Sequence, residues 1–496
     1  MVDASPDQSD LNLFPALAAF ARTHWLRICV ISCLLLIPCF WHREIVASDL
    51  GSHLYNAWLV QLIHRGELPG LWVAPQFTNV LFDWLLSAFG SIFGWYAAEK
   101  ISVCIAVLIF FWGSFAFVSA ATRCAPWLLS PVIALATYGW TFHLGFFNYY
   151  LSLGLGFLAA ALFWRGVGRE KLVALAFVPW IFFAHPLGVA GLVATCLFLG
   201  LQESTGTMGK IILFLLAIAS LVALHFALAR FFVVTPGTRP FYSFNGADQL
   251  VLFGERYKIL ARTVLALVIA AIGIDVAANP KSGRIWPRYS TPLQLYVLTE
   301  LAVLLMPGAV DFSSHAASLA LLTERLTSVS AVLGCCLLAA TRPGKWHLAV
   351  SGVIAAVFFS FVYQDTAIVN RMEAQIVKLV STLPPNQRVM ATILPPAGSR
   401  ILIQHIVDRA CIERCFSYAN YEPAAAVFRV RASADNPYVL MSFEAAIDGE
   451  HGEYIVQPSD LPLYQVYQCN EDGTQLCITP LKAGDANDYL GEHDDQ

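Results

Sequence analysis

An aspartate, two histidines and an asparagine share one helical face early in the chain. The stretch from Trp41 to Gln76 leaves an apolar segment through Trp41-His42-Arg43-Glu44 and reaches Ser48-Asp49-Leu50-Gly51-Ser52-His53. It closes on Gly66-Glu67-Leu68-Pro69-Gly70. At about 100° per residue, Asp49, His53, Asn56 and His64 fall on one side of the intervening helix, and Leu54, Tyr55, Trp58, Leu59 and Leu62 on the other. The pattern predicts a helix lying along a membrane surface, apolar side down, with its carboxylate and imidazoles in water. A carboxylate so placed could act as the base for a hydroxyl that displaces a lipid-phosphate leaving group. His53, one turn on, could orient that base or the incoming hydroxyl. The plain structural alternative is that Ser48 or Asp49 simply caps the helix. Two histidines and a carboxylate are also a known metal-ligand set. Eleven residues separate His53 from His64, however, which is not a tight ligand spacing. Solvated interfacial histidines are the simpler reading. No metal ligand and no cofactor are assigned, and a divalent metal stays open.

Three further places carry polar groups where apolar ones are the norm. Asn148 follows Gly145-Phe146-Phe147 and precedes Ser152 and Gly156 at steps of four. Such a stripe either packs helices closely or lines a cavity. His185-Pro186 interrupts an apolar run, and an ionisable group at membrane depth is a functional candidate by default. Glu324-Arg325 opens a later apolar segment, after a loop with Asp311 and His315. A planar guanidinium suits a phosphate better than an ammonium does, so Arg325 is a candidate phosphate ligand. Its alternatives are Arg239, Arg256 and Lys258, or a simple ion pair with Glu324. No Walker-type loop, dinucleotide fingerprint, CxxC pair or nucleophile elbow is present.

The elements that must hold these residues are membrane segments. Hydrophobic residues make up 57% of the 496-residue chain and charged residues 13%, against roughly 25% charged in soluble domains. The mean hydropathy is +0.62. A net charge of -4 with no basic cluster argues against a nucleic-acid partner. Apolar segments long enough to cross, or nearly cross, a ~30 Å hydrocarbon layer recur twelve times. They run over Trp25–Trp41, Phe77–Tyr96, Ile101–Ala121, Pro126–Phe142, Gly145–Trp164 and Lys171–Ala184. The series continues over Pro186–Leu201, Lys210–Val234, Ile259–Ala278, Pro292–Pro307, Leu326–Ala340 and His347–Tyr363. The first ten residues are polar and acidic rather than a basic leader, so the first segment is expected to remain as an anchor. Arg22 and Arg27 place the N-terminus in the cytoplasm. Later basic loops follow the same rule if one segment between Ile101 and Gly145 fails to span, and Pro126–Phe142 is the expected non-spanner. The Asp49 loop and the chain after Tyr363 then share the outer side.

The resulting expectation is an α-helical polytopic membrane protein with about eleven to twelve segments and a C-terminal α+β extracytoplasmic domain. A cytoplasmic stretch (1–24) precedes a membrane domain (25–363) with its first outer loop at 42–76. A polar domain (364–483) and an acidic disordered tail (484–496) follow. Ala367 to Leu383 has helical spacing and ends at Pro384-Pro385. Val427 to Arg431 alternates as a strand. Asn470-Glu471-Asp472-Gly473 reads as a hairpin turn with Cys469 and Cys477 on its arms. In an oxidising compartment a disulfide there, and a second between Cys411 and Cys415, fit the sequence. The other eight cysteines lie in or beside apolar segments and act as small hydrophobes.

This arrangement resembles the GT-C superfamily of integral-membrane glycosyltransferases. The likeness rests on Ser48-Asp49-Leu50-Gly51-Ser52-His53 soon after the first membrane helix, followed by Ala57 and the Gly-Glu-Leu-Pro-Gly exit. Gly145-Phe146-Phe147-Asn148 resembles the Gly-Gln-x-Asn-type start of a later helix in bacterial members. Arg325 at the start of a late helix and a polar domain after the last crossing also fit. The resemblance implies transfer of a sugar from a polyprenyl-phosphate carrier to a glycan, lipid or protein acceptor outside the cytoplasmic membrane. Asp49 would be the base, His53, Asn56, Asn148, His185 and Arg325 would line the substrate site, and membrane lipids would surround it. Many members carry two adjacent acids, whereas Ser48 precedes Asp49 here. A transporter or flippase, and a non-catalytic envelope-assembly protein, are the rival classes.

Overall fold

The computed structural model describes residues 13–237, 245–279, 285–311, 318–425, 428–470 and 473–487. Its helices in chain order are α1 (Leu13–Leu36), α2 (Leu50–His64), α3 (Leu81–Phe93), α4 (Trp95–Thr122), α5 (Ser130–Thr137), α6 (Trp140–His143) and α7 (Phe147–Arg165). Then come α8 (Arg169–Ala176), α9 (Val178–Ala184), α10 (Pro186–Glu203), α11 (Thr207–Phe231), α12 (Arg256–Ala278), α13 (Ile285–Leu305), α14 (Leu322–Ala340) and α15 (Lys345–Val380). Two short helices, α16 (Ile406–Cys411) and α17 (Phe443–His451), belong to the polar C-terminal part.

Eight helices among the described residues are long and apolar enough to cross a membrane: Ala18–Cys39, Trp95–Thr122, Phe147–Arg165, Pro186–Glu203, Thr207–Phe231, Arg256–Ala278, Leu322–Ala340 and Lys345–Val380. The chain is therefore a multi-pass helical membrane protein, with eight candidate crossings among the described residues against twelve apolar runs in the sequence. Over Pro126–Phe142 the helix breaks into a short turn, α5 and α6. Pro131 opens α5, and the extended Gly139 separates it from α6. Lys171–Ala184 splits in the same way, because Pro179 starts a new helix at α9. At thirteen residues α3 is short, about 20 Å at 1.5 Å per residue. Pro292–Pro307 lies mostly within α13, which does not count among the eight.

The boundary expected at Tyr363 does not exist as a break. Hydropathy falls at Gln364-Asp365, but no Gly or Pro interrupts the backbone until Pro384. The last apolar run and the helix expected over Ala367–Leu383 are therefore one 36-residue helix, α15. Its length, about 54 Å, exceeds a ~30 Å hydrocarbon layer, so one end of it stands clear of that layer.

Beyond α15, strands β5 (Gln387–Thr392), β6 (Cys415–Ser417), β8 (Leu463–Gln468) and β9 (Leu476–Pro480) form a sheet of order β6-β5-β8-β9. Both Cys411–Cys415 and Cys469–Cys477 are bonded. Between them in the chain, β7 (Val430–Ala432) pairs antiparallel with β1 (Leu71–Val73), with Leu71 opposite Ala432 and Val73 opposite Val430. The alternating stretch expected from Val427 thus finds its partner in the first loop, and Val427 itself lies outside the described residues. A third sheet joins β2 (Val233–Thr235), β3 (Ala309–Asp311) and β4 (Ser318–Leu319). The expected disordered tail begins too early at 484. Asn487 is buried and donates to the Gly449 carbonyl at 2.6 Å, and the rest of the tail from 488 lies outside the described residues.

One ion-pair cluster fixes the C-terminal part against the membrane helices. Arg409 on α16 donates to both oxygens of Glu373 on α15 at 2.6 and 2.8 Å and to the Ile45 carbonyl at 3.1 Å. Its Nε lies 3.1 Å from Glu99 on α4. These three packed charged groups cannot be parted cheaply, because leaving a buried charge alone costs several kcal/mol. The cluster sets where α16, and His405 at its start, meet the first loop.

Candidate functional site

The helix carrying Asp49 is not a surface helix. Almost all of α2 is buried: Leu54, Tyr55, Leu59 and Trp58, but also Ser52 and Asn56. Its apolar face meets the C-terminal part instead of lipid. The Tyr55 hydroxyl accepts from the Ser417 amide at 3.0 Å, and Trp58 stacks on Phe416 with ring centroids 6.3 Å apart. Gly51 lets α16 approach, since a Cβ there would stand 2.8 Å from the His405 carbonyl oxygen. The amphipathic pattern is real, but its polar face looks into a polar interior. Only His64 at the far end is exposed.

That polar interior holds two hydrogen-bonded clusters side by side. His53 Nδ1 lies 2.8 Å from Asp83 on α3. Asn148 Nδ2 donates to the other Asp83 oxygen at 2.9 Å and to the Asn79 carbonyl at 3.1 Å, and its Oδ1 accepts from the Phe82 amide at 2.7 Å. Asn56 and Asn420 exchange side-chain contacts at 2.9 and 3.4 Å, and Ser52 donates to Glu422 at 3.1 Å. Asn56 and Asn148, expected to touch substrate, therefore spend their amides on protein. Asp83, Asn420 and Glu422 escaped the sequence reading. Asp83 sits in an apolar run without a motif, and Glu422 lies in Tyr421-Glu422-Pro423, which carries no signature.

Burial alone would depress the His53 imidazole, but the Asp83 carboxylate, with Glu422 and Asp49 beyond it, outweighs burial and lifts its pKa to about 9. Burial pushes the Glu422 carboxyl up to about 8 despite His53. His53, Asp83, Glu422 and Arg429 line a narrow cavity of about 20 Å³, room for a single water.

Asp49 lies just outside these clusters. It occupies the N-cap position of α2 but makes no side-chain cap hydrogen bond, because its backbone is helical rather than extended. No hydrogen bond ties its half-buried carboxylate to any described residue. The backbone around it is fixed instead. The Ser48 and Asp49 amides donate to the His143 and Leu144 carbonyls at 2.8 and 3.0 Å. Gly145, at φ +82°, lets that turn close on Asp49: a Cβ there would lie 2.7 Å from the Asp49 nitrogen. Burial raises the Asp49 pKa, opposed in turn by the charges of His405, His53 and Arg325. His405, contributed by the C-terminal part, was not foreseen. Burial would lower its pKa, but Glu450 at 3.0 Å, with Asp408 and Asp49, brings it to about 10.

Arg325 reaches the same space from α14. Its guanidinium lies 3.9 Å from the centroid of the Phe146 ring and 5.4 Å from that of Tyr149. Nε donates to the Ala320 carbonyl at 3.1 Å. No carboxylate pairs with it among the described residues. Glu324 turns away and accepts from Thr323 at 2.6 Å, so the adjacent acid does not neutralise it. His185 is buried against Tyr149, with ring centroids 5.4 Å apart, and its Nδ1 accepts from the Leu187 amide at 3.2 Å. It acts as the cap of α10. Arg256 is committed to Asp365 at 2.6 Å and Lys258 to Glu255. Arg239 and His315 lie outside the described residues.

Behind Arg325 opens an apolar cavity of about 500 Å³ between α7, α10, α11, α13 and α14, lined by Tyr149, Gly188, Gly191, Leu224 and Leu326 among others. Its outer wall, α11, buries none of its residues. Asp49 itself lines neither this cavity nor the narrow one beside His53. No group of three or more His, Cys, Asp or Glu with metal-holding geometry occurs among the described residues.

The arrangement offers an acceptor carboxylate, two flanking imidazoles and an unneutralised guanidinium at the head of an apolar chamber. Compared with protein-family models, curated proteins and solved structures, the chain matches none.

Proposed function

We propose that this protein is a GT-C-like membrane glycosyltransferase that moves a sugar from a polyprenyl-phosphate carrier to an acceptor hydroxyl on the outer side of the cytoplasmic membrane. One observation carries the reading. Arg325 lines an apolar cavity with no carboxylate partner among the described residues, and the Asp49 carboxylate makes no hydrogen bond to any described residue. Opposite charges held apart leave room for a group that needs both. Arg325 would hold the carrier phosphate, for which a planar, permanently charged donor is suited. The apolar chamber would take the first isoprenoid units, entering past the loosely held α11.

In the reaction the acceptor oxygen bonds to the sugar's anomeric carbon as the bond from that carbon to the phosphate oxygen breaks. The acceptor proton passes to the Asp49 carboxylate, and the electron pair leaves on the carrier phosphate, facing Arg325. A base whose pKa burial has raised is better matched to an alcohol than an ordinary carboxylate. His53 and His405, both held cationic near neutral pH, keep Asp49 ionised until the proton arrives.

Detergent-purified protein offered a panel of polyprenyl-phosphate sugars and hydroxyl acceptors tests the reading. Consumption of one donor by the wild type, and none by Asp49→Asn at an unchanged melting temperature, is the expected outcome. Full transfer by Asp49→Asn would remove Asp49 from the mechanism, and no consumption of any donor would sink the enzyme class.

A further inference from the structure

A second, polar cavity of about 620 Å³ opens at the other end of α2, between that helix, the start of α4 and the edge of the C-terminal sheet. Its volume falls within the range of roughly 300–1,000 Å³ typical of ligand sites. Aromatic rings form its floor: Trp58 stacks on Phe416, and Tyr438 leans on Phe416 at a tilt of 54° with centroids 4.7 Å apart. Trp95, half-exposed at the start of α4, lines it as well. The rim carries planar amides and balanced charge. Arg65 pairs with Glu67 at 2.6 Å, while the side chains of Asn386, Gln387 and Glu413 make no hydrogen bond with any described residue.

We infer that this groove binds a neutral oligosaccharide, the acceptor chain of the proposed transfer, and the inference rests on that reading. Sugar rings offer C–H faces to aromatic side chains and hydroxyls to amides, carboxylates and guanidinium groups, and the groove supplies both in one place. Its charges cancel, which suits neither a polyanion nor a cationic peptide. Strand addition by a peptide is blocked at β6, because the Ser417 amide already donates to Tyr55. The groove shares a helix with the candidate base but opens on the opposite face, where Trp58 lies. Trp58 and Gln61 lie nine and twelve residues beyond Asp49 on the same helix, about 14 and 18 Å along its axis. An acceptor with its terminal hydroxyl at Asp49 would reach the groove only after several sugar units.

The test is acceptor-length dependence in wild type and in an Asn386→Ala/Glu413→Ala double variant, which alters two exposed side chains without hydrogen bonds; both stand at φ +63°, so its melting temperature is matched against wild type first. Trp95→Ala is the stronger companion. For acceptors of four or more sugars, KM should rise at least tenfold in the variants with kcat preserved, while mono- and disaccharides are used as by the wild type. An unchanged KM for long acceptors, or an equal loss for short and long ones, overturns the groove. Should wild-type protein transfer nothing, the proposed function fails, and the groove is judged by binding to an immobilised oligosaccharide array. Retention of a glycan by wild type and Asp49→Asn but not by the double variant supports it. Retention of no glycan, or of peptides only, overturns it.

Discussion

The two polar regions beside the first turns of α2 both bring carboxylates and their partners together but are bonded in opposite ways. On the α3 side, His53, Asn56, Asp83, Asn148, Asn420 and Glu422 give their polar atoms chiefly to one another and to backbone. On the α14 side, the Asp49 carboxylate and most of the Arg325 guanidinium have no polar protein partner, although each feels the other's charge. Buried polar groups are normally satisfied, and those that are not call for a ligand, a water or a mechanism. The closed network is architecture: it fixes α2 against α3 and α7. The open pair is where substrate can be received.

If that contrast holds, substitutions on the two sides should fail differently. The largest effect is expected from Asp49→Asn, a loss of transfer of about 10²–10⁴-fold, the usual worth of a general base, with thermal stability retained because no protein bond is lost. Next comes Arg325→Lys. It keeps the charge but loses the planar fork, and donor KM should rise by roughly ten- to hundredfold, read from initial rates.

On the closed side, Asn148→Ala should lower stability by about 1–3 kcal/mol, because it strands the Phe82 amide and an Asp83 oxygen. Chemical denaturation in detergent would measure it, and an activity loss without instability would mean that Asn148 contacts substrate after all. The same network predicts a pH dependence. The folded pKa of His53 is raised from 6.5 to about 9, so its stabilisation is complete below pH 6.5 and is lost as pH climbs through about 9. Asp83→Asn should abolish that slope, since burial alone pulls the imidazole down. Smallest of all, His64→Ala at the exposed end of α2 should change stability by no more than about 0.5 kcal/mol and leave activity untouched.

Much of the frame was legible without coordinates. Long apolar runs between basic loops require membrane helices, because an unpaired backbone cannot sit in hydrocarbon. The Cys469–Cys477 pair followed from a hairpin turn, and Asp49 and Arg325 stood out as charges at the ends of apolar segments. Misreadings came where local pattern has two physical solutions. An amphipathic helix covered by protein has the same sequence as one lying on lipid, so α2 was expected on a surface and is found inside. A fall in hydropathy at Gln364 signals a change of solvent, not a change of backbone, so α15 runs on.

What the sequence determined by itself is the class of solvent each segment can tolerate and where charged side chains stand at the ends of apolar segments. Which of those charges meet is a matter of contacts hundreds of residues apart. His405 comes to Asp49 only because Arg409, one turn further on, is locked by Glu373 and Glu99. Arg325 is left without its neighbouring acid because Glu324 accepts from Thr323, and the Asp49 backbone is set by the close approach that Gly145 permits. Long-range burial and charge pairing decide such meetings, and neither leaves a periodic trace in the chain.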